Sequence, residues 1–150
     1  MIIKPHHFMD IIKLYGAGLE VFVPDLSYGH DFYRVANAVV ADRSILLTLT
    51  AGADDICSPC RYLGQDGTCQ DSISHINGMT SKNQYNEMLD RRIMAILGMS
   101  SGESYKAETL CRRMQEQPEL VEAVWKEEDE AAMIRRKSLF QKGIKRYLEC

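Results

Sequence analysis

Apolar residues near the N-terminus recur at helical spacing. Pro5 suits a first helical position and Gly16 suits a helix end. Between them, four apolar residues lie on one face: Phe8, Ile11, Ile12 and Tyr15. This pattern predicts a short amphipathic helix over residues 6–15. The following residues, 17–29, contain two glycines and a proline and are predicted to form a loop.

The next elements are a helix and a strand. A helical pattern over residues 31–41 is set by Phe32, Val35, Ala36, Val39 and Val40. Residues 44–50 form a short, apolar segment that is rich in β-branched side chains, which is typical of a strand. This is the only convincing strand, and it leads directly into a stretch that contains three cysteines.

The C-terminal half is predicted to be helical. Ser81 and Gln84 have capping-box spacing, and an apolar stripe follows and ends at Gly98. Further helices are predicted over residues 104–115 and from Pro118 to about residue 148, the last broken once. The expected fold is therefore mainly α with one or two short strands, in a single compact domain over residues 1–150 with an irregular cysteine loop.

Composition and charge exclude several classes of function. The 150 residues are 45% hydrophobic and 26% charged, with a net charge of -3, so no basic surface for nucleic acid is expected. Charged residues interrupt the N-terminus, so no signal peptide is expected, and no stretch is apolar enough for a membrane span. A cytoplasmic location is therefore expected, where an odd number of cysteines favours metal ligation over disulfides.

The strongest chemical signal is the cysteine loop. Two residues separate Cys57 from Cys60, and Cys69 follows in a loop with two glycines. All three cysteines come after Asp54 and Asp55. No amphipathic helix follows Cys60, which argues against a thioredoxin-like redox pair. Structural zinc usually shows two close pairs of ligands, whereas a cluster accepts scattered thiolates. The loop predicts an iron–sulfur cluster of the 4Fe–4S type, with zinc as the alternative.

The fourth ligand stays open at this stage. Cys111 is the simplest candidate, because cluster iron favours thiolate, although its helical position also suits a small buried apolar residue. Cys150 is a weaker candidate at the last position. A group from the first helix, namely His6, His7 or Asp10, or a water molecule, would instead leave the site without a fourth thiolate.

Histidines and carboxylates near the loop are candidates for catalysis. His6 and His7 begin the first helix, where the helix dipole favours neutral imidazole, and Asp10 lies within one turn as an orienting partner. Asp54 and Asp55 are expected mainly to hold the cysteine loop, with Asp55 also a candidate acid or base. The run Tyr28-Gly29-His30 is a second candidate contributor to the site, although a glycine and histidine before a helix most often form a turn.

Two motifs resemble a known family. The residues from Lys4 to Asp10 and the run from Asp54 to Cys60 are similar to a small bacterial and archaeal family of unknown function, number twelve-eighty-four in the domain-of-unknown-function series. The resemblance implies iron–sulfur binding. Many members carry cysteine at the position of Asp10 and a second cysteine cluster near the C-terminus, and this chain has neither.

Three functional hypotheses follow. If Cys111 completes the site, the cluster would exchange electrons with a redox partner protein. If the fourth position is not cysteine, the cluster would act on a small-molecule substrate by Lewis-acid or sulfur-transfer chemistry, with His6, His7, Asp10 or Asp55 moving protons. A structural zinc module is the third alternative. The sequence predicts no nucleic-acid or membrane partner and leaves the oligomeric state and enzymatic activity undecided.

Overall fold

A computed structural model describes residues 1–149 and shows six helices and one small sheet among them. Cys150 lies outside the described residues. In chain order the elements are β1 (Ile2–Ile3), α1 (Pro5–Gly16), α2 (Phe32–Ala41), β2 (Leu46–Leu49), α3 (Lys82–Leu97), β3 (Ser104–Lys106), α4 (Ala107–Gln115), α5 (Leu120–Val124) and α6 (Glu130–Glu149). The mainly helical prediction is confirmed.

The sheet connects the N-terminus to the cysteine loop. β1 pairs with β2 in parallel, with Ile2 opposite Thr48, and β2 pairs with β3 in antiparallel, with Leu47 opposite Tyr105. Because β1 and β2 run in the same direction, the residues that follow them emerge at the same edge. The start of α1 therefore lies beside the chain that leaves β2.

Helices α1 and α6 pack with their backbones almost in contact. A Cβ atom added at Gly143 would lie 1.9 Å from the carbonyl oxygen of Ile12, and one at Gly16 would lie 2.0 Å from that of Leu139. These glycines permit a helix–helix approach that any side chain would prevent. Gly16 does end α1, as its position predicts, but this close packing is an additional role.

Helix α3 has the termini that its sequence predicts. The Ser81 hydroxyl accepts a hydrogen bond from the Gln84 backbone N–H at 3.2 Å, and Gly98 closes the helix in the left-handed conformation with φ 65°. The predicted helix over 104–115 is wrong at its start, since residues 104–106 form β3. Pairing with β2 there outweighs the helical pattern.

The final helical stretch is interrupted, as expected, between α5 and α6. Residues 125–129 between them are not helical, and Trp125 at the end of α5 is buried. Residues from all six helices and from the sheet contribute to one apolar core. Among residues 1–149, no helix combines the length and apolar character that crossing a membrane would require.

Candidate metal centre and the adjoining histidine pocket

Three cysteine side chains line one small cavity, called here the cysteine cavity. The Cys60 N–H donates to the Cys57 carbonyl at 2.9 Å, and Leu63 N–H donates to the Cys60 carbonyl at 3.2 Å. An isolated antiparallel bridge between Leu63 and Cys69 then returns the third cysteine to the first two. The turns and this bridge place Cys57, Cys60 and Cys69 around one space, as the sequence predicts for a ligand loop.

A buried lysine also lines the cysteine cavity. Lys4 is only 3% exposed, and its charge partly offsets the burial and the Asp54 charge, which raise the pKa of the Cys57 thiol. Among residues 1–149, no aspartate or glutamate forms an ion pair with the Lys4 ammonium. Asn83 lies on the same wall, and its side-chain oxygen accepts the Cys69 N–H at 3.1 Å. A buried cation without a carboxylate partner suits an anionic occupant.

The Cys57 thiol is protonated when no metal is bound. Burial is the largest influence and the Asp54 carboxylate the next, and together they raise the pKa of Cys57 to about 11. A buried thiolate needs a compensating positive charge, which a bound metal supplies directly. Burial and Asp54 therefore favour the neutral Cys57 thiol over a free thiolate.

Cys111 lies elsewhere in the fold. It is fully buried on the apolar face of α4, together with Ala107, Leu110 and Met114. Burial raises the pKa of Cys111 to about 12. Cys111 lies near Tyr147 of α6, and a Cys111 thiolate would raise the pKa of that tyrosine. The residues that line the cysteine cavity do not include Cys111. Helical spacing explains this placement, because residues three and four apart share one face.

The spacing of the three sulfur atoms bears on which metal would fit. In the described part of the chain, one group of histidine, cysteine or acidic residues has ligand atoms all within 4.8 Å of one another, and it consists of His7, Asp54 and Cys57. The three loop cysteines do not form such a group, so at least one pair of their sulfurs is farther apart. Zinc with Zn–S distances of about 2.3 Å holds its thiolates about 3.8 Å apart.

Asp54 connects the cysteine loop to the start of α1. It is buried, and its Oδ2 accepts from the Lys4 N–H at 2.8 Å and from His7 Nδ1 at 2.7 Å. Its Oδ1 accepts from the backbone N–H groups of Ile56 and Cys57, each at 3.0 Å. Burial opposes ionisation, but His7 and these donors hold the pKa of Asp54 well below its usual range.

Asp55 also connects the cysteine loop to the N-terminal segment, at β1. Its carboxylate accepts the Ile2 N–H at 2.8 Å, and its own N–H donates to the Ile2 carbonyl at 3.1 Å. The acidic pair therefore ties β1 to the cysteine loop, as the loop-holding prediction expects. Asp55 is exposed and does not line the cavities of His7 or the cysteines.

Each histidine of the predicted pair is held by a buried aspartate. His6 Nδ1 lies 2.9 Å from both oxygens of Asp90, a fully buried residue of α3 that also accepts the His6 backbone N–H at 2.8 Å. His7 Nδ1 bonds to Asp54. Because a carboxylate only accepts, both Nδ1 atoms donate to it, and both Nε2 atoms face away from the aspartates. Burial and then His6 lower the pKa of His7, which favours its neutral form.

Asp10 does not orient either histidine, and that hypothesis is wrong. Its carboxylate forms ion pairs with Arg136 of α6 at 2.8 Å and with Lys13 at 3.1 Å. Burial opposes ionisation, but these cations lower the pKa of Asp10 to about 2. The orienting partners, Asp90 and Asp54, are 84 and 47 residues from their histidines, so helical spacing gave no sign of them.

All four histidines of the chain line a second cavity of about 330 Å³, called here the histidine pocket. His30 stacks on Tyr28, and His75 lies 3.6 Å from Glu128, which also accepts the Tyr85 hydroxyl at 3.3 Å. Its other lining residues include Asp10, Phe32, Lys82, Trp125 and Arg136. The sequence gives no sign of His75 and offers His30 only as a second candidate beside the turn interpretation. The common location of the four histidines becomes apparent only in the fold.

Comparison with known proteins gives one match. A family model described as a protein of unknown function, DUF1284, matches residues 26–127. The chain belongs to the DUF1284 family. No curated protein and no solved structure matches it.

The DUF1284 match covers the cysteine loop but not all of the site. His30, the three loop cysteines and His75 lie within residues 26–127, whereas Lys4, His6 and His7 precede them. This DUF1284 chain therefore combines a matched segment that supplies the thiols with α1 and α6, which lie outside the match and complete the histidine pocket.

Proposed function

We propose that this protein binds an iron–sulfur cluster of the 4Fe–4S type through Cys57, Cys60 and Cys69, in the service of redox chemistry. The observation that carries the proposal is the convergence of these three thiols on one cavity that also contains a buried lysine. Thiolates are the usual ligands of such clusters. The family description names no function.

The sulfur spacing supports a cluster over a single zinc ion. Zinc requires all its thiolates on one atom, about 3.8 Å apart, whereas a cluster distributes them over separate iron atoms. At least one pair of the three loop sulfurs lies more than 4.8 Å apart. Lys4 supports the same choice, because a thiolate-bound cluster carries negative charge and the Lys4 ammonium has no carboxylate partner among residues 1–149.

The placement of Cys111 favours a cluster with a non-cysteine fourth position. Cys111 is buried in the core beside Tyr147, and the cavity wall offers Lys4 and Asn83 instead of a fourth thiol. An open iron would accept water, an added ligand or a substrate. Cys57, Cys60 and Cys69 would then supply three thiolate ligands, and Asp54 would fix the position of the loop that contains them.

The first experiment is anaerobic reconstitution with iron and sulfide. We expect brown protein with a broad charge-transfer band and about four iron and four sulfide per chain. Serine substitutions at Cys57, Cys60 and Cys69 should each abolish the band. Cys111→Ala is the matched control, since it removes a thiol of the same chain that does not line the cavity, and it should retain the band.

The outcomes separate the alternatives. Colourless protein that holds one zinc ion would replace the cluster with a structural zinc site. Loss of the cluster in Cys111→Ala, with an unchanged circular dichroism spectrum, would contradict the three-cysteine assignment. Addition of cyanide or a thiol to the reduced holoprotein should change its electron paramagnetic resonance spectrum if one iron lacks a thiolate. An unchanged spectrum with reversible reduction would favour a closed electron carrier.

A further inference from the structure

We propose that His6 and His7 form a second metal site, in the histidine pocket, for a divalent transition-metal ion of the zinc or ferrous type. A ring nitrogen of His7, an oxygen of Asp54 and the Cys57 sulfur lie within 4.8 Å of one another, so this site adjoins the cysteine cavity, but it does not depend on a cluster being there. The two histidines line the pocket through adjacent rings whose centroids are 4.3 Å apart.

The two rings are oriented as metal ligands usually are. Metal-binding histidines almost always donate their second ring N–H to a carboxylate or carbonyl, which fixes the tautomer and the ring direction. Here both Nδ1 atoms bond to buried aspartates, His6 to Asp90 at 2.9 Å and His7 to Asp54 at 2.7 Å. This leaves both Nε2 atoms as the ligand atoms.

Both Nε2 atoms are available. The His6 side chain is 6% exposed, yet neither its Nε2 nor that of His7 has a hydrogen-bond partner among the described residues, and neither atom is sealed from solvent. An imidazole nitrogen that solvent can reach is open to a metal ion, which has only to replace water there. The histidine pocket is the cavity that both rings line.

The ring spacing is compatible with one shared ion. Adjacent helical residues normally diverge, but Asp90 from α3 and Asp54 from the cysteine loop hold these two rings side by side, tilted by 49°. Two nitrogens bound to one ion are at most about 4.2 Å apart, given a metal–nitrogen distance of about 2.1 Å. Ring centroids 4.3 Å apart allow one ion to reach both rings, since each Nε2 atom lies at the edge of its ring.

The donor set and charge determine the class of ion. Imidazole suits zinc, ferrous iron, nickel and copper rather than magnesium or calcium. Two aspartates behind the rings oppose the helix dipole and the Lys4 charge, which both disfavour a cation there. Two protein ligands leave the remaining coordination positions to water or to a small ligand in the pocket.

The test is a zinc titration followed at the imidazole nitrogens by long-range proton–nitrogen NMR. Cluster-free protein receives up to three equivalents of Zn²⁺, so that any zinc taken up by the thiols does not limit the histidine site. Before zinc is added, Nδ1 of both His6 and His7 should carry a proton. At saturation, their Nε2 resonances should shift, while those of His30 and His75 stay in place. Unchanged His6 and His7 resonances at saturation would overturn the proposal, and this result would leave the cysteine site untouched.

Variants give a second, independent reading. Asp90→Asn should weaken the second zinc site by about 10- to 100-fold, the usual cost of losing an orienting carboxylate. His6→Gln should abolish that site, and His30→Gln and His75→Gln are matched controls from the same pocket that should change its affinity less than twofold. Equal weakening in the controls would contradict the assignment. The NMR titration of the unmodified chain decides the matter if a variant does not fold.

Discussion

Asp54→Asn is the most informative single substitution, because one buried carboxylate accepts four hydrogen bonds. The asparagine side chain has one acceptor oxygen, which can still serve the N–H groups of Ile56 and Cys57. Its amide group then faces the Lys4 N–H, 2.8 Å away in the native protein, and leaves that donor unpaired. His7 can change tautomer and accept from the amide, so it adds little to the loss.

The expected loss of stability is about 3–5 kcal/mol. An unpaired buried N–H costs about 1–3 kcal/mol, and two hydrogen bonds that lose a charged acceptor weaken by about 1 kcal/mol each. This is a large part of the 5–15 kcal/mol that is typical of a domain. The measurement is urea unfolding of the cluster-free protein, with the transition midpoint shifted and the slope unchanged.

Asp55→Asn is the matched control for this substitution. Asp55 is exposed and its carboxylate accepts a single backbone N–H, from Ile2, so the expected loss is below about 1.5 kcal/mol. Amide hydrogen exchange should locate the damage, with the Lys4 amide losing protection in Asp54→Asn. If Asp54→Asn is destabilised no more than Asp55→Asn, Asp54 does not hold the two segments together and the reasoning is refuted.

Three further predictions concern packing, acid stability and the apolar role of Cys111. Gly143→Ala should destabilise the protein by about 3 kcal/mol or more, because its Cβ would lie 1.9 Å from the Ile12 carbonyl oxygen. Gly52→Ala, with its nearest atom at 3.6 Å, should change the unfolding free energy little. Burial opposes ionisation of Asp10, but Lys13 and Arg136 lower its pKa from 3.8 to about 2, so its ion pairs contribute about 2 kcal/mol above pH 4 that is lost as the pH falls towards 2. In acid titrations Asp10→Asn should remove that part of the pH dependence, and an unchanged slope would refute the ion-pair assignment. Cys111→Ser should cost about 1–3 kcal/mol through a buried hydroxyl, more than Cys111→Ala does, and equal costs would contradict its apolar surroundings.

Local sequence patterns predict most of the helices, because caps, helix ends and apolar stripes depend on residues that are close in the chain. The Ser81 cap, the Gly98 end and the apolar stripe between them act within a few residues, and α3 has the predicted limits. Residues 104–106 show where this fails. Their pairing with β2 depends on residues about 58 positions earlier in the chain, as for Tyr105 opposite Leu47, which no local pattern reports.

In the candidate site too, groupings of residues close in the chain are predictable and contacts between distant segments are not. The three cysteines of the loop were predicted together and lie together, because 13 positions of one loop contain them all. The partners of His6 and His7 were mistaken, because Asp10 is near in sequence whereas Asp90 and Asp54 are near only in the fold. Cys111 was the simplest fourth ligand by chemistry alone, but α4 places it in the core.

The long sequence separation between His7 and Asp54 has a consequence for biosynthesis. These residues are 47 positions apart, so at about 5–20 residues per second the ribosome adds Asp54 roughly 2–10 s after His7. Asp90, the partner of His6, is added later still. The nascent chain therefore presents His6 and His7 before either orienting carboxylate has been synthesised. An ion that requires both rings in fixed positions, as proposed above, would bind only after α3 has been synthesised.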